Sequence, residues 1–388
     1  MRYLFLLFIF LFSSLLSHEK SKVLITNFHP YNSGGHLTFI RSLVTGPLKD
    51  EFEFAVACPA SSDLYATCQA LHIKTYPCHF PSKLRNVFSI LTTSFGSFRH
   101  IVQEFQPDLI HTNGGADRNI ALLSRLFSTH KPPILQTVHW VKVIAPNPIN
   151  LLIHNHLLSA HLFVSPSAYQ MHQAGGLALK NVWVIENGVD IESFSPRAPD
   201  QALRKQLGIP EGYFIFGSNA GLASYKRFDL LLEALTHFPK DAPFRVIALG
   251  HNPDSWMEKA KELGVDHFLC LPGFQKDVRP YCSLFDAGFI LSTAVEASPY
   301  SSREMMAMGI PLIASYYSGL KDNIDDQVNG IFVEPGNVQQ IVQAMRKFLE
   351  MSPEELVVYR EQAHAKAERA FNQKLQMARI KALYIGLL

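Results

Sequence analysis

From Lys22 onward, short apolar runs alternate with longer amphipathic stretches, and Gly, Pro, Asn and Asp mark the joints between them. Lys22–Asn27, Phe52–Pro59, Pro107–Thr112 and Pro133–Trp140 are brief and nearly uniform in apolar character, the pattern of strands buried on both faces of a parallel sheet. Ile73–Tyr76, Ala160–Ser167 and the run beginning at Asn181 add shorter strands. Helices are predicted over Leu37–Leu43, Val87–Gln103, Arg118–Phe127 and Ala168–Ala174, the last with Ser167 as its cap. A polar, proline-containing segment, Ser195–Pro210, reads as a linker. A second series follows it: strands at Tyr213–Asn219, Arg245–Gly250, His267–Phe274, Ala287–Leu291 and Leu312–Ala314, with helices over Lys226–Leu235, Asp254–Leu263 and Val278–Phe285. Repeated alternation of strand and helix predicts an α/β chain built on parallel sheets. The C-terminal end predicts helix only.

One stretch concentrates candidate chemistry. Ser292–Ser315, STAVEASPYSSREMMAMGIPLIAS, reads as a strand end, a polar loop, a helix opening near Pro299 or Tyr300, a stop at Gly309 and Pro311, and a new strand. Glu296 falls in the loop and Glu304 on the helix. Two carboxylates near a helix start are equally well read as partners of the helix dipole. A helix N-terminus beside a strand's carboxyl end is also where α/β proteins hold phosphate or sugar hydroxyls.

Other residues qualify on similar grounds. Ser33-Gly34-Gly35-His36 follows the first strand, and paired glycines let backbone approach a ligand closely. Asn113-Gly114-Gly115 makes a second such loop. His111 and His139 end strands, where a neutral imidazole can bond a hydroxyl or phosphate. Lys226 and Arg227 open the Lys226–Leu235 helix against its dipole, a conflict that a bound diphosphate would resolve. Each has a structural alternative: turn glycines, strand-end histidines, solvated cations.

Composition narrows the choices. A chain of 388 residues is long enough for two domains. Its 47% hydrophobic and 18% charged residues describe an ordered globular protein, and a net charge of +2 makes no case for nucleic acid. Five cysteines without a Cys-x-x-Cys, and 17 histidines without metal-ligand spacing, predict no metal site and reduced, buried thiols. The N-terminus, residues 1–20, is a hydrophobic leader. As a helix its apolar part reaches roughly 22–24 Å against a bilayer core of about 30 Å. A cleaved export signal, an uncleaved anchor and a later translation start, near Lys22, all fit it.

These motifs together resemble the retaining glycosyltransferases of family 4, which have the GT-B fold. The family pattern Glu-Gly-Phe-Pro-x-x-x-x-Glu-Ala-Met-Ala-x-Gly-x-Pro-Val-Ile-Ala is matched at Glu296, Pro299, Glu304, Met306, Ala307, Gly309, Pro311, Ile313 and Ala314. Ala297 and Ser298 depart from it. Val184-Ile185 through Asn187-Gly188-Val189-Asp190, then Phe194 and Pro196, matches a second family run. Lys226, Asp229, Leu231, Leu232 and Ala234 match a third, but the arginine expected after its first glycine is absent: Ser218 follows Gly217 and Leu222 follows Gly221.

The resemblance implies an α/β fold of two Rossmann-like domains facing each other across a cleft. Its divisions would be an acceptor-side domain over 21–195, a nucleotide-sugar domain over 196–370, and a C-terminal helix, 371–388, crossing back. It implies that Glu304 binds the donor ribose and Glu296 the transferred sugar, and that amides around Ser298, Pro299 and Tyr300 meet sugar hydroxyls. Lys226 would neutralise the diphosphate, with Arg227 taking over part of the missing arginine's charge. His139 matches the family's Thr-x-His, Gly34 and Gly35 its N-terminal glycine loop, and Phe274 ends the segment that contacts the base.

The implied activity is transfer of a sugar, with retention, from a nucleotide-diphospho-sugar to a glycan or lipid-linked acceptor, without metal or other cofactor. The expected place is the cytoplasm, where bacteria hold such donors, with membrane association through the leader. Two alternatives are a degenerate member that binds sugar or nucleotide without transfer, and an exported carbohydrate-binding protein.

Overall fold

The computed structural model describes residues 19–30, 34–81, 94–141 and 143–388. The leader up to residue 18, Ser33, and the first part of the helix expected over Val87–Gln103 lie outside the described residues. Phe95–Phe105 is the part of that helix seen. Among the described residues, no helix is long and apolar enough to cross a membrane. The chain forms two compact units: one runs to Leu135 and includes Leu387 and Leu388, the other is Gln136–Gly386.

Among the described residues, thirteen strands make two sheets. The first holds β1 (Ser21–Thr26), β2 (Phe52–Cys58), β3 (Lys74–Pro77), β4 (Leu109–Thr112), β5 (Ile134–Val138), β6 (Ala160–Phe163) and β7 (Val182–Val184), in the order β3-β2-β1-β4-β5-β6-β7. The second holds β8 (Phe214–Ser218), β9 (Phe244–Leu249), β10 (Leu269–Gly273), β11 (Ala287–Ile290), β12 (Leu312–Ser315) and β13 (Gly330–Val333), in the order β10-β9-β8-β11-β12-β13. Both have Rossmann-like winding, and parallel sheets are what the alternation of apolar runs and helices predicts. The β1–β2, β1–β4, β8–β9 and β8–β11 pairs are all parallel. Each sheet winds outward from its first strand, then restarts on that strand's other side. The reversals fall between β1 and β4 and between β8 and β11, and crevices at such points collect ligands.

Strand burial explains why the pattern was readable. Val23, Leu24 and Ile25 have no exposed surface, and neither do Val246, Ile247 and Ala248. Phe244 and Phe268 stack at 4.6 Å with planes 2° apart, and Phe216 meets Phe244 edge-on. Such pairs add about 0.5–1.5 kcal/mol each beyond their burial. On β11, a Cβ at Gly288 would lie 2.6 Å from Leu312 Cδ2 and 2.8 Å from Met305 Sδ. The helix Tyr300–Ala307 therefore seats directly on bare backbone.

Several local expectations are corrected. Ser165, not Ser167, caps the helix Pro166–Gly175, accepting from Ala168 N–H at 3.0 Å. Ser167 instead donates to Asp322 at 2.6 Å. The segment read as a linker contains the helix Gln201–Gln206, capped by Asp200, with Leu203, Leu207 and Ile209 packed into the core of the second sheet. The helix expected over Val278–Phe285 is only Arg279–Cys282. The helical C-terminal end is Val338–Glu350, Pro353–Ala370 and Gln373–Ile385. The last of these starts beside Val189, whose N–H donates to Phe371 O at 2.7 Å and whose carbonyl accepts from Gln373 N–H at 2.9 Å.

Candidate functional site

Neighbouring strands β8 and β11 each deliver a loop at the carboxyl edge of the second sheet. After β8, the chain makes a short 3-10 turn, Ser224–Lys226, and passes through Arg227 at φ +56° into the helix Phe228–Leu235. After β11, it reaches Glu296 through Val295 at φ +64°. The two loops touch: Thr293 N–H donates to Tyr225 O at 3.2 Å.

Lys226 Nζ donates to Glu296 Oε1, and Ser292 Oγ donates to the same oxygen at 2.6 Å. The side chains of Lys226 and Glu296 are only 12% and 6% exposed. Lys226 Nζ also sits 5.0 Å from the Tyr225 ring centroid. A cation and a carboxylate removed from water hold together only with geometry this close and with added hydrogen bonds, here from Ser292.

Glu304 lies half-buried on the helix Tyr300–Ala307, which opens at Pro299 without a side-chain cap. Asn219, the first residue past β8, donates from Nδ2 to Glu304 Oε2 at 2.7 Å. Ser298 is buried; its hydroxyl accepts from Asn187 N–H at 3.3 Å and its carbonyl from Asn187 Nδ2 at 3.1 Å. Gly319 N–H donates to Glu296 O at 2.9 Å, and a Cβ on Gly319 would lie 1.9 Å from Ala297 O. The 296–299 backbone is thus held from two sides.

The two cations expected to oppose the helix dipole are each answered by a carboxylate of the chain. Lys226 has Glu296. Arg227 makes three hydrogen bonds of 2.9–3.1 Å to Asp229, and these hold its guanidinium above the usual range. Phe274 is 59% exposed and lies flat on His251, with centroids 4.7 Å apart and planes 6° apart. It stands past β10, farther along the same edge of the sheet, after Gly273 at φ +81°.

His139 follows β5 directly, half-buried at that strand's carboxyl end. In the unit that ends at Leu135, Gly34 enters the helix Gly35–Thr45 at φ +126°. The second glycine loop is anchored to β1. Asn113 Nδ2 donates to Thr26 O at 3.0 Å, while buried Asp117 accepts from Thr26 Oγ1 at 2.6 Å and from Asn113 N–H at 2.8 Å. Burial pushes the Asp117 carboxyl up. His36 and His111 are both pushed down to about 3 by burial, so each is a neutral imidazole near pH 7.

The structure thus brings Lys226 to Glu296 and sets Glu304 against Asn219. Asn219 and Ser292 were given no role in the sequence, and Asn187 was read only as part of a matching run. A polar residue immediately past a buried strand was the available signal for Asn219 and Ser292.

Residues 33–193 match the family Glycosyltransferase Family 4, and residues 199–367 match Glycosyl transferases group 1. The chain is 21% identical over 406 residues to the UDP-Gal:alpha-D-GlcNAc-diphosphoundecaprenol alpha-1,3-galactosyltransferase of Escherichia coli, covering 96% of this chain and 98% of that one. It is 28% identical over 175 residues to the D-inositol 3-phosphate glycosyltransferase of Xylanimonas cellulosilytica, a match spanning 41% of this chain and 40% of that relative's length. Among solved structures, Anabaena HepE in complex with UDP-glucose superposes with a TM-score of 0.78 at 20% identity, covering 94% of this chain and 99% of that one. The chain belongs to the group 1, family 4 glycosyltransferases of the GT-B fold.

Proposed function

We propose that this glycosyltransferase moves a sugar from a nucleotide-diphospho-sugar to a glycan or lipid-linked acceptor of cell-envelope polysaccharide synthesis, with retention of configuration. The observation that carries the reading is the Lys226–Glu296 pair at the strand reversal, with Glu304 on the helix that follows. A departing nucleoside diphosphate accumulates negative charge, and Lys226 is the ammonium placed to receive it. Such charge stabilisation is usually the largest catalytic contribution. Donor arrival would exchange part of the Lys226–Glu296 hydrogen bond for one to phosphate, leaving Glu296 to accept from hydroxyls of the transferred sugar. Glu304, held by Asn219, would accept from the ribose.

The relatives support this choice of substrates. HepE is seen with UDP-glucose, and the E. coli relative's name states a UDP-Gal donor and a diphosphoundecaprenol-linked acceptor. In this reading His139 meets a sugar hydroxyl or phosphate, Gly34 and Gly35 face the donor phosphates and the acceptor, Phe274 meets the base, and no metal takes part. On the same reading the enzyme works where its donor is made, in the cytoplasm. One observation favours binding without transfer: Ser218 and Leu222 stand where the arginine was expected, and Arg227 is tied to Asp229.

A thermal-shift panel of UDP-, GDP- and ADP-sugars tests donor binding, since a ligand that binds only the folded state raises its stability by mass action. Transfer or donor hydrolysis with the sugar that shifts the protein most would exclude the binding-only reading. Full transfer by both Glu304→Ala and Lys226→Ala would sink the proposal itself.

A further inference from the structure

Arg303 precedes Glu304 on the helix Tyr300–Ala307 and has no exposed surface. It is the largest of the fully buried side chains. Its guanidinium reaches two other parts of the chain. Nε and Nη2 both donate to Asn323 Oδ1, at 3.0 and 2.9 Å, while Nη1 donates to Asn187 O and Nη2 to Glu186 Oε1 at 3.0 Å. Phe371 closes the remaining face, its ring centroid 4.2 Å from the guanidinium carbon. A guanidinium carries five N–H donors in a fixed planar fork that spans acceptors several ångströms apart; an ammonium has three on a single atom.

Those acceptors hold the loop that carries Glu296. Asn187, fixed through its carbonyl by Arg303, binds Ser298 at both the hydroxyl and the carbonyl. Asn323, fixed through Oδ1, donates from Nδ2 to Ser302 Oγ at 2.5 Å, and Ser302 Oγ donates to Pro299 O at 2.9 Å. Two chains of bonds thus run outward from one guanidinium and meet the backbone at Ser298 and at Pro299. A buried charge is expensive, and removing one partner leaves the other uncompensated. Here that charge ties the segment around residues 298–299 to Glu186, Asn187 and Asn323.

We infer that Arg303 is a positioning residue: through Asn187 and Asn323 it fixes the Glu296–Pro299 loop in the geometry that sugar transfer requires. The inference rests on the donor-site reading above. Arg303 touches no ligand in this scheme; it acts through Ser298 and Pro299.

The experiment compares wild type, Arg303→Met, Arg303→Lys and Ser298→Ala. In the ligand-free proteins, amide hydrogen exchange at residues 296–301 should accelerate in Arg303→Met while strands β8, β11 and β12 stay protected. In transfer assays its kcat should fall about 100-fold with donor KM within a few-fold of wild type, because misplacing a reacting group by about 1 Å costs that order of rate. Arg303→Lys, which restores charge but not the fork, should recover part of the loss. Ser298→Ala, which removes only one acceptor and is expected to fold, should move exchange and kcat in the same direction by a smaller factor. If Arg303→Met does not fold, Ser298→Ala alone decides. Unchanged exchange at 296–301, or wild-type kcat, in the folded variants overturns the inference. Should Glu304→Ala and Lys226→Ala keep full activity, the donor reading fails, and the exchange data still decide whether Arg303 clamps the loop.

Discussion

Lys226 Nζ hydrogen-bonds Glu296 Oε1 across the point where the second sheet reverses its winding, joining the loops that follow β8 and β11. Because both side chains are nearly buried, their energies are coupled. Lys226→Ala should cost about 3–5 kcal/mol of stability by stranding the carboxylate. It should also lower kcat by roughly 100- to 1,000-fold, the range for losing one stabilising donor. Lys226→Met combined with Glu296→Gln should be more stable than Lys226→Ala, since no buried charge is left alone. Urea unfolding of these two variants beside wild type checks both stability statements.

Glu304 predicts a different kinetic signature. It faces Asn219, not the Lys226 pair, and its proposed partner is the ribose. Glu304→Ala should abolish the nucleotide-induced rise in Tm, with donor KM raised about 10-fold or more, given about 1.5–3 kcal/mol for hydrogen bonds to a charged group. Asn219→Ala, which frees the carboxylate to wander, should raise KM by a smaller factor. Calorimetric titration with UDP measures both.

The buried histidines set an acid limit. His111 has no exposed surface, and its folded-state value of about 3 lies below the ordinary 6.5; His36 behaves alike. Between those values the unfolded chain takes up protons that the folded chain refuses. Their contribution is therefore complete above pH 6.5 and is lost as pH falls toward 3, by about 1.4 kcal/mol per pH unit for each group. Asp117, whose carboxyl burial pushes up, works in the opposite sense near its own titration. Unfolding free energies measured from about pH 7 down to about pH 4 should show a steep decline. The decline should be shallower by close to one proton in His111→Gln, whatever that variant's absolute stability.

Val295 is a β-branched residue held at φ +64°, immediately before Glu296. Such a conformation costs on the order of 1–3 kcal/mol and persists only where its surroundings impose it. Gly319 N–H on Glu296 O is part of that imposition. Val295→Gly should raise the urea midpoint, by about 1 kcal/mol of stability after the entropy of the added glycine is subtracted. It should lower kcat, because the loop gains alternatives. Higher stability with unchanged kcat would show that the strain has no part in catalysis.

Much of this was legible in the residues. The strands could be read because runs such as Val23-Leu24-Ile25 are apolar enough to be buried on both faces and give way to polar residues, here Thr26 and Asn27. Glu296, Glu304 and Lys226 were legible because they stand at fixed places in motifs that resemble the family's. Their pairing was not, since nothing local says that residues 226 and 296 share one strand edge. Arg303 was invisible for a related reason: a lone arginine on a short helix reads as a solvated charge until Glu186, Asn187 and Asn323 arrive from elsewhere. Ser167 misled because Ser165 was equally able to cap, and only the backbone at Ser165 is extended. Ser195–Pro210 read as a linker because its polar and proline content outweighed Leu203, Leu207 and Ile209, which pack inward.

Gly288 has a consequence for the carboxylate it never touches. With no side chain there, Met305 sulfur rests on the backbone of β11, and the height of the Tyr300–Ala307 helix above the sheet is set by that contact. An alanine at 288 would lift the helix or force Met305 aside, because an interior packed to crystal density has no slack for a methyl group. Glu304 rides on the same helix, one residue before Met305. The bare backbone at 288 therefore acts as a shim: its thickness determines how far Glu304 reaches toward Asn219, and a lineage could retune that reach by one carbon without altering any residue that meets a ligand.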